Sequence, residues 1–182
     1  TEQYYTPDRY PQGRLSEEKF MEAAKERFGS DLEEVIAQFR KVYPDRDVRD
    51  VQFYAIDHRK AIYDYCSVLA DAGMKAYVYQ FVPELPFNHG TPAFHCSDVP
   101  YVMQNLEMVP SLIIPGVSEE LSEIYSSALI NLAHHGDPAH GRLAEWKPFS
   151  RTQNNCMLFD KNTHMMSEDD SRLVELLSSH MP

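Results

Sequence analysis

The stretch AYVYQFVPELPFNHGTPAFHCSDVPYV, residues 76–102, decides the fold. Its opening residues, Ala76 to Phe81, are β-branched and aromatic with little alternation, the pattern of a strand covered on both faces. Strands of that kind sit in parallel sheets flanked by helices, which places the chain in the α/β class. The connection that follows, residues 82–97, is longer than the roughly 4–6 residues usual in compact domains, and long connections tend to carry function. It leaves the C-terminal end of the strand, the edge at which open α/β sheets bind ligands. Its prolines stiffen it, and Gly90 permits a turn that fixes the direction of its tip. The side chain it offers is His95: an imidazole ordinarily titrates near ~6.5, so it takes and returns a proton around neutrality. On position alone such a histidine is more often a solvated or core-satisfied side chain than a catalytic base.

Working outward, residues 1–14 form a Tyr/Pro-rich arm without periodicity. Ser16 ahead of Glu17 and Glu18 starts a helix with Phe20, Ala23, Ala24 and Phe28 on one stripe, stopped by Gly29. Ser30-Asp31-Leu32-Glu33 has capping-box spacing, followed by Leu32, Val35, Ile36 and Phe39 as an apolar face and Pro44 as terminator. Either Asp47 or Asp50 opens a longer helix, whose stripe of Val51, Tyr54, Ala55, Ala61, Ile62, Tyr65, Val68 and Leu69 is expected to pack on the sheet, with Gly73 as left-handed cap. Downstream, Asp98 is expected to cap a short helix that tolerates Pro100 in its first turn. Ser118 is expected to cap a helix with Leu121, Ile124, Tyr125, Ala128, Leu129 and Leu132 in a stripe, ended by Gly136-Asp137-Pro138. Residues 155–160 (NCMLFD) read as a second strand, returned by His164-Met165-Met166 as a hairpin. Ser167 with Glu168, Asp169 and Asp170 opens a last helix through Leu173, Val174, Leu176 and Leu177.

With 43% apolar residues over its length, the chain is read as a single domain over 1–182, the α/β part running from 15 to 182. A formal net charge of -11 argues against a nucleic-acid partner. No run of eighteen apolar residues occurs and the start lacks a basic-then-apolar pattern, so neither a membrane span nor a signal peptide is visible. Cys66, Cys96 and Cys156 are widely spaced, fitting a reduced, cytoplasmic protein better than a disulfide framework. His134, His135, Asp137 and His140 are ligand types suited to zinc, but adjacent histidines diverge on a helix and Gly-Asp-Pro reads as a helix stop, so no metal and no cofactor is expected. Met103, Met108, Met165 and Met166 read as fillers of core gaps, with an adaptable acyl pocket as the other reading.

Four segments in order resemble one family. YVYQF followed after the proline-rich loop by HCSDVPYV, then LAHHGDP, EWKPFS and MLFD, resemble the catalytic-histidine region, the FAKTGDPN helix end, and the W-P-x-Y and M-x-F-D segments of the type-B carboxylesterases, the α/β-hydrolase family that includes cholinesterases and p-nitrobenzyl esterases. The resemblance implies that His95 is the catalytic histidine and that Asp98 occupies the family's following acidic position. Cys96 stands where the family commonly has Gly, Met103-Gln104 where it has Phe-Gly, and Leu129 where it has Trp.

An α/β-hydrolase triad runs Ser, then Asp or Glu, then His, with the serine on a G-x-S-x-G elbow. The glycines stand at 13, 29, 73, 90, 116, 136 and 141, no two of them four apart, so no elbow exists in this sequence. The expectation is therefore the C-terminal portion of an α/β-hydrolase fold, mostly helices around a few strands of an incomplete sheet. It supplies the triad histidine of a serine carboxylesterase but is inactive alone. Its partners would be the N-terminal portion of the same protein, a small ester substrate in the intact enzyme, and a second copy as a homodimer. The alternative is a noncatalytic cholinesterase-like interaction module.

Overall fold

The computed structural model describes residues 14–53, 56–86, 90–143, 145–153 and 155–180. Most of the arm, and Tyr54 and Ala55 of the third expected helix, lie outside them. Helix α1, Glu17–Phe28, begins where Ser16 Oγ accepts the Lys19 amide at 3.4 Å, and it buries Phe20, Ala24 and Phe28. A 3-10 turn, Gly29–Asp31, then leads into α2, Leu32–Val42, which buries Leu32, Val35, Phe39 and Val42. The expected capping box does not form. Ser30, its capping residue, lies inside the 3-10 turn and its hydroxyl donates to Asp31 Oδ1 at 3.4 Å; Asp31, which takes the N-cap position, sits at φ -89 and ψ -2, and its carboxylate meets His180 Nε2 at 2.8 Å.

The long third helix is interrupted. Asp47 Oδ1 accepts the Arg49 amide at 2.9 Å and opens only a 3-10 segment, Val48–Phe53, before α3, Ile56–Asp71. Asp50 is spent on Arg14, whose Nε and Nη2 donate to its two oxygens at 2.7 and 3.0 Å. The expected stripe of α3 is also not the buried one. Arg59 and Cys66 face inward, whereas Ile62, Tyr65 and Val68 are 46%, 64% and 62% exposed.

Strand β1, Val78–Phe81, pairs in parallel with β4, Cys156–Phe159, which pairs antiparallel with β5, His164–Met165. The parallel sheet and the hairpin are thus as the sequence predicts, in register Val78 opposite Cys156 and Met157 opposite Met165. Tyr79 departs from a strand buried on both faces, being 38% exposed. Alternation splits the core: Val78, Cys156 and Leu158 join Cys66 and Phe149 on one face, while Phe81, Met157 and Phe159 join Tyr101, Leu121, Tyr125 and Trp146 on the other. Helix α4, Val99–Val102, and helix α5, Ser118–His135, cover the second face. In α5, Ser118 is the first helical residue and its Oγ accepts the Ile114 amide at 2.7 Å instead of capping; Leu129 and Leu132 of the expected stripe are 50% and 37% exposed. Gly136 ends the helix in the left-handed region, at φ 69.

Helix α6, Ser171–Ser179, starts later than expected and closes the α1/α2 cluster with Leu173, Val174, Leu176 and Leu177. Asp170, at its N-cap position, does not cap, because its carboxylate is paired with Arg59 and accepts the Tyr63 hydroxyl at 2.9 Å; Asp169 takes the Ser171 amide instead, at 2.7 Å. Arg59 also donates to the Tyr43 hydroxyl at 3.0 Å, and that hydroxyl donates to Gln80 Oε1 at 2.9 Å. This network ties the helical cluster to β1 and explains why α3 turns a charge inward: a buried guanidinium is tolerable when its carboxylate partner is buried with it. None of the described helices is long and apolar enough to cross a membrane.

Candidate active-site loop

The chain leaves β1 into a loop that is not irregular throughout. Strands β2, Glu84–Leu85, and β3, Thr91–Pro92, form a short antiparallel ladder before the histidine. Gly90 has φ 101, a conformation that favours glycine, and a Cβ there would sit 2.5 Å from Glu84 Oε1 and push that carboxylate aside. Glu84 in turn accepts Arg14 Nη2 at 2.6 Å, which anchors the ladder to the residue already clamped on Asp50. Burial raises the Asp50 pKa, against the opposing pull of Arg14.

His95 follows on the exposed side of a tight turn. The Ser97 amide donates to Phe94 O at 2.9 Å, and Ser97 Oγ, itself buried, accepts the Phe94 amide at 3.0 Å. Cys96, between them, is held at φ 63, and Gln104 beyond α4 at φ 53, conformations that L-residues other than Asn and Asp rarely adopt. These are the two positions at which the carboxylesterase motif carries glycine.

Asp98 stands at the N-cap position of α4 but makes no cap. Its Oδ2 accepts the Tyr125 hydroxyl at 2.9 Å, and Tyr125 is hydrogen-bonded to the Tyr79 hydroxyl at 2.7 Å. Burial raises the Tyr125 pKa far above its ordinary value, and the neighbouring Tyr79 and Asp98 add to the effect, so the phenol stays a donor. Sequence reasoning missed this pairing, because Tyr125 reads as a core position of α5 and Tyr79 as strand core. No local pattern links residues 27 and 46 positions apart.

Beside the loop lies a groove of about 510 Å³, walled by Ala61, Ile62 and Tyr65 of α3, by Tyr77 and Tyr79 of β1, and by Phe94 and Asp98. Strand β1 is an edge strand, paired only with β4 among the described residues. Met103 and Met108 are 64% and 74% exposed, so they do not fill core gaps, whereas Met165 and Met166 are half-buried against the cores. Of the histidine-rich helix end, Asp137 accepts the Ala139 amide at 2.9 Å and His140 Nδ1 lies 3.0 Å from Pro138 O; no cluster of metal-ligating side chains occurs among the described residues. Cys96 is exposed, and Cys66 and Cys156 are buried; all are unpaired with one another.

No protein-family model matches the chain, and no curated protein matches it. Solved structures do. An esterase from anaerobic Clostridium hathewayi that can hydrolyze aliphatic aromatic polyesters superposes with TM-score 0.84 and 29% identity over 92% of this chain and 33% of its own. A PNB esterase matches with TM-score 0.56 and 21% identity over 94% of this chain and 35% of its own. A Geobacillus stearothermophilus carboxylesterase matches with TM-score 0.61 and 19% identity over 89% of this chain and 35% of its own. The chain thus spans about a third of the length of the esterases it matches, and its fold is that of the C-terminal part of an α/β-hydrolase carboxylesterase.

Proposed function

We propose that a chain built like the C-terminal third of a type-B carboxylesterase contributes His95 as the general base of a serine esterase, acting on carboxylic esters with a serine and an acid supplied by the rest of the protein. The observation that carries this reading is the backbone around His95. The turn lies at the C-terminal end of a parallel strand, and its left-handed residues, Cys96 and Gln104, fall at the two glycine positions of the motif that assigns the histidine. That coincidence supports the register of the assignment residue by residue. The likeness to a polyester-hydrolysing enzyme at 29% identity supports the ester class of the substrate.

A histidine without a hydroxyl to activate and without oxyanion donors catalyses nothing, since the triad acts as a unit. The open edge of β1 and the groove beside it support the remainder of the same polypeptide as the partner that completes the site. The test is His95→Ala in the full-length protein, assayed on a p-nitrophenyl ester: turnover falls by several orders of magnitude while the circular dichroism spectrum is kept. Near-wild-type turnover overturns the assignment.

A further inference from the structure

The turn that carries His95 holds a residue, Cys96, in a conformation that persists only when its surroundings over-determine it. The hydrogen bonds between Phe94 and Ser97 close the turn on itself but do not fix where it sits. Asp98 reaches out of it to another element. Its carboxylate takes the Tyr125 hydroxyl of α5, and that hydroxyl meets Tyr79 on β1, so the exit of the turn is tied at once to the helix and to the strand from which the loop departs. Tyr125 is 6% exposed, and its ring packs on Phe159 with centroids 4.5 Å apart and on Phe81 at 5.9 Å, so the hydroxyl is carried on a rigid support. A hydrogen bond to a carboxylate in such surroundings is stronger than one between neutral groups. The missing helix cap is the other half of the observation: Asp98 is at the N-cap position with side-chain chemistry suited to capping, yet its carboxylate is turned to the phenol.

We propose that Tyr125, acting through Asp98 and backed by Tyr79, is the positioning residue that sets the place of His95. The inference rests on the reading of His95 as the base, and it assigns to Asp98 the work of holding the loop rather than of orienting the imidazole or capping α4. Misplacement of a base by a fraction of an ångström lowers the chemical step without changing how substrate binds, so the signature is in kcat and not in KM.

The experiment uses the full-length protein with Tyr125→Phe and Asp98→Leu, each retaining the approximate shape of the side chain; leucine is chosen because an asparagine Oδ1 would still accept the phenol proton. Tyr125→Phe is expected to lower kcat on a p-nitrophenyl ester about tenfold, equivalent to about 1.4 kcal/mol, with KM unchanged. Adding it to Asp98→Leu is expected to cost little further, because both remove the Tyr125–Asp98 contact. With carbon-13-labelled histidine, the His95 Cε1–H resonance is expected to move and broaden in Tyr125→Phe and in Asp98→Leu. Wild-type kcat and an unmoved resonance in Tyr125→Phe overturn the proposal, as do additive losses in the double variant. If Tyr125→Phe fails to fold, Asp98→Leu reads the same contact from its other end. If His95→Ala keeps its activity the base assignment falls, while the resonance still decides whether Tyr125 positions the turn.

Discussion

Replacing Cys96 by glycine should stabilise the protein, an unusual direction for a substitution beside a candidate catalytic residue. At φ 63 the Cβ of an L-residue crowds its own carbonyl, at a cost of roughly 1–2 kcal/mol that glycine does not bear. Glycine brings its own penalty through the unfolded chain, about 0.4–1 kcal/mol of additional conformational entropy. Cys96 is exposed, so losing the thiol removes little buried surface. The balance favours Cys96→Gly by about 0.5–1 kcal/mol, which in a chain of this size raises Tm by about 1–4 °C. Differential scanning calorimetry at neutral pH under reducing conditions reads it, with two controls. Cys96→Ala keeps the Cβ and should leave Tm near wild type. Gly136→Ala, at φ 69 with nothing within 4 Å of the added carbon, should lower stability by about 1 kcal/mol through backbone conformation alone. A lower Tm for Cys96→Gly refutes the argument, and an equal rise for Cys96→Ala shifts the cause from the backbone to the thiol.

Acid stability offers a second measurement. The Arg49 guanidinium holds the Asp47 carboxyl below its ordinary range, so the pair's contribution is intact above about pH 4 and is lost as pH falls through the lowered folded value; Asp47→Asn should flatten the fall of the urea midpoint below pH 4, and an unchanged slope would contradict it. Association offers a third: the chain by itself should sediment as a dimer or larger at micromolar concentration, because Ile62 and Tyr65 stand exposed in the groove beside the open edge of β1, and Ile62→Glu with Tyr65→Glu should return it to monomer. A monodisperse monomer before substitution would refute that.

What the sequence disclosed and what it withheld divide along one physical line. The parallel pair of β1 and β4, the β4–β5 hairpin and the long helix α5 were legible because each is written in a local pattern of apolar residues and turn formers. The caps were not. Asp31, Asp98 and Asp170 each occupy a capping position, and each has its carboxylate engaged elsewhere, by His180, Tyr125 and Arg59, at separations of 149, 27 and 111 residues. A capping rule weighs only the amide two or three residues on, and a side-chain donor arriving from across the fold outbids it for the carboxylate. At the candidate site the same division holds. The reading of His95 as the candidate base rests on its motif, and the departures at Cys96 and Gln104 become informative once their φ values are known, whereas the Tyr79–Tyr125–Asp98 contact has no trace in the order of residues.

Helix α3 carries that argument furthest. Periodicity identifies its apolar stripe, Ile62, Tyr65 and Val68, and an amphipathic helix in a small domain turns such a stripe to the core. Here Ile62 and Tyr65 line the groove half-exposed, and the residue of the helix taken fully inward is Arg59, buried at 2% exposure with Asp170 at 0%. A sequence selected only for these 182 residues would gain by replacing Arg59 and Asp170 together with apolar residues and reversing the helix: burying the exposed half of each of the three side chains is worth about 1 kcal/mol, and the desolvation cost of the ion pair would be avoided. The arrangement is economical only for a helix with two interior faces, one closed by the network to Tyr43, Gln80 and Asp170 and the other by whatever lies over the edge of β1. On the reading proposed above, that cover is the two thirds of an esterase beyond the third matched by this chain. Ile62 and Tyr65 of the helix, and Phe94 and Asp98 on either side of the candidate base in the chain, line the same groove and would meet that one cover.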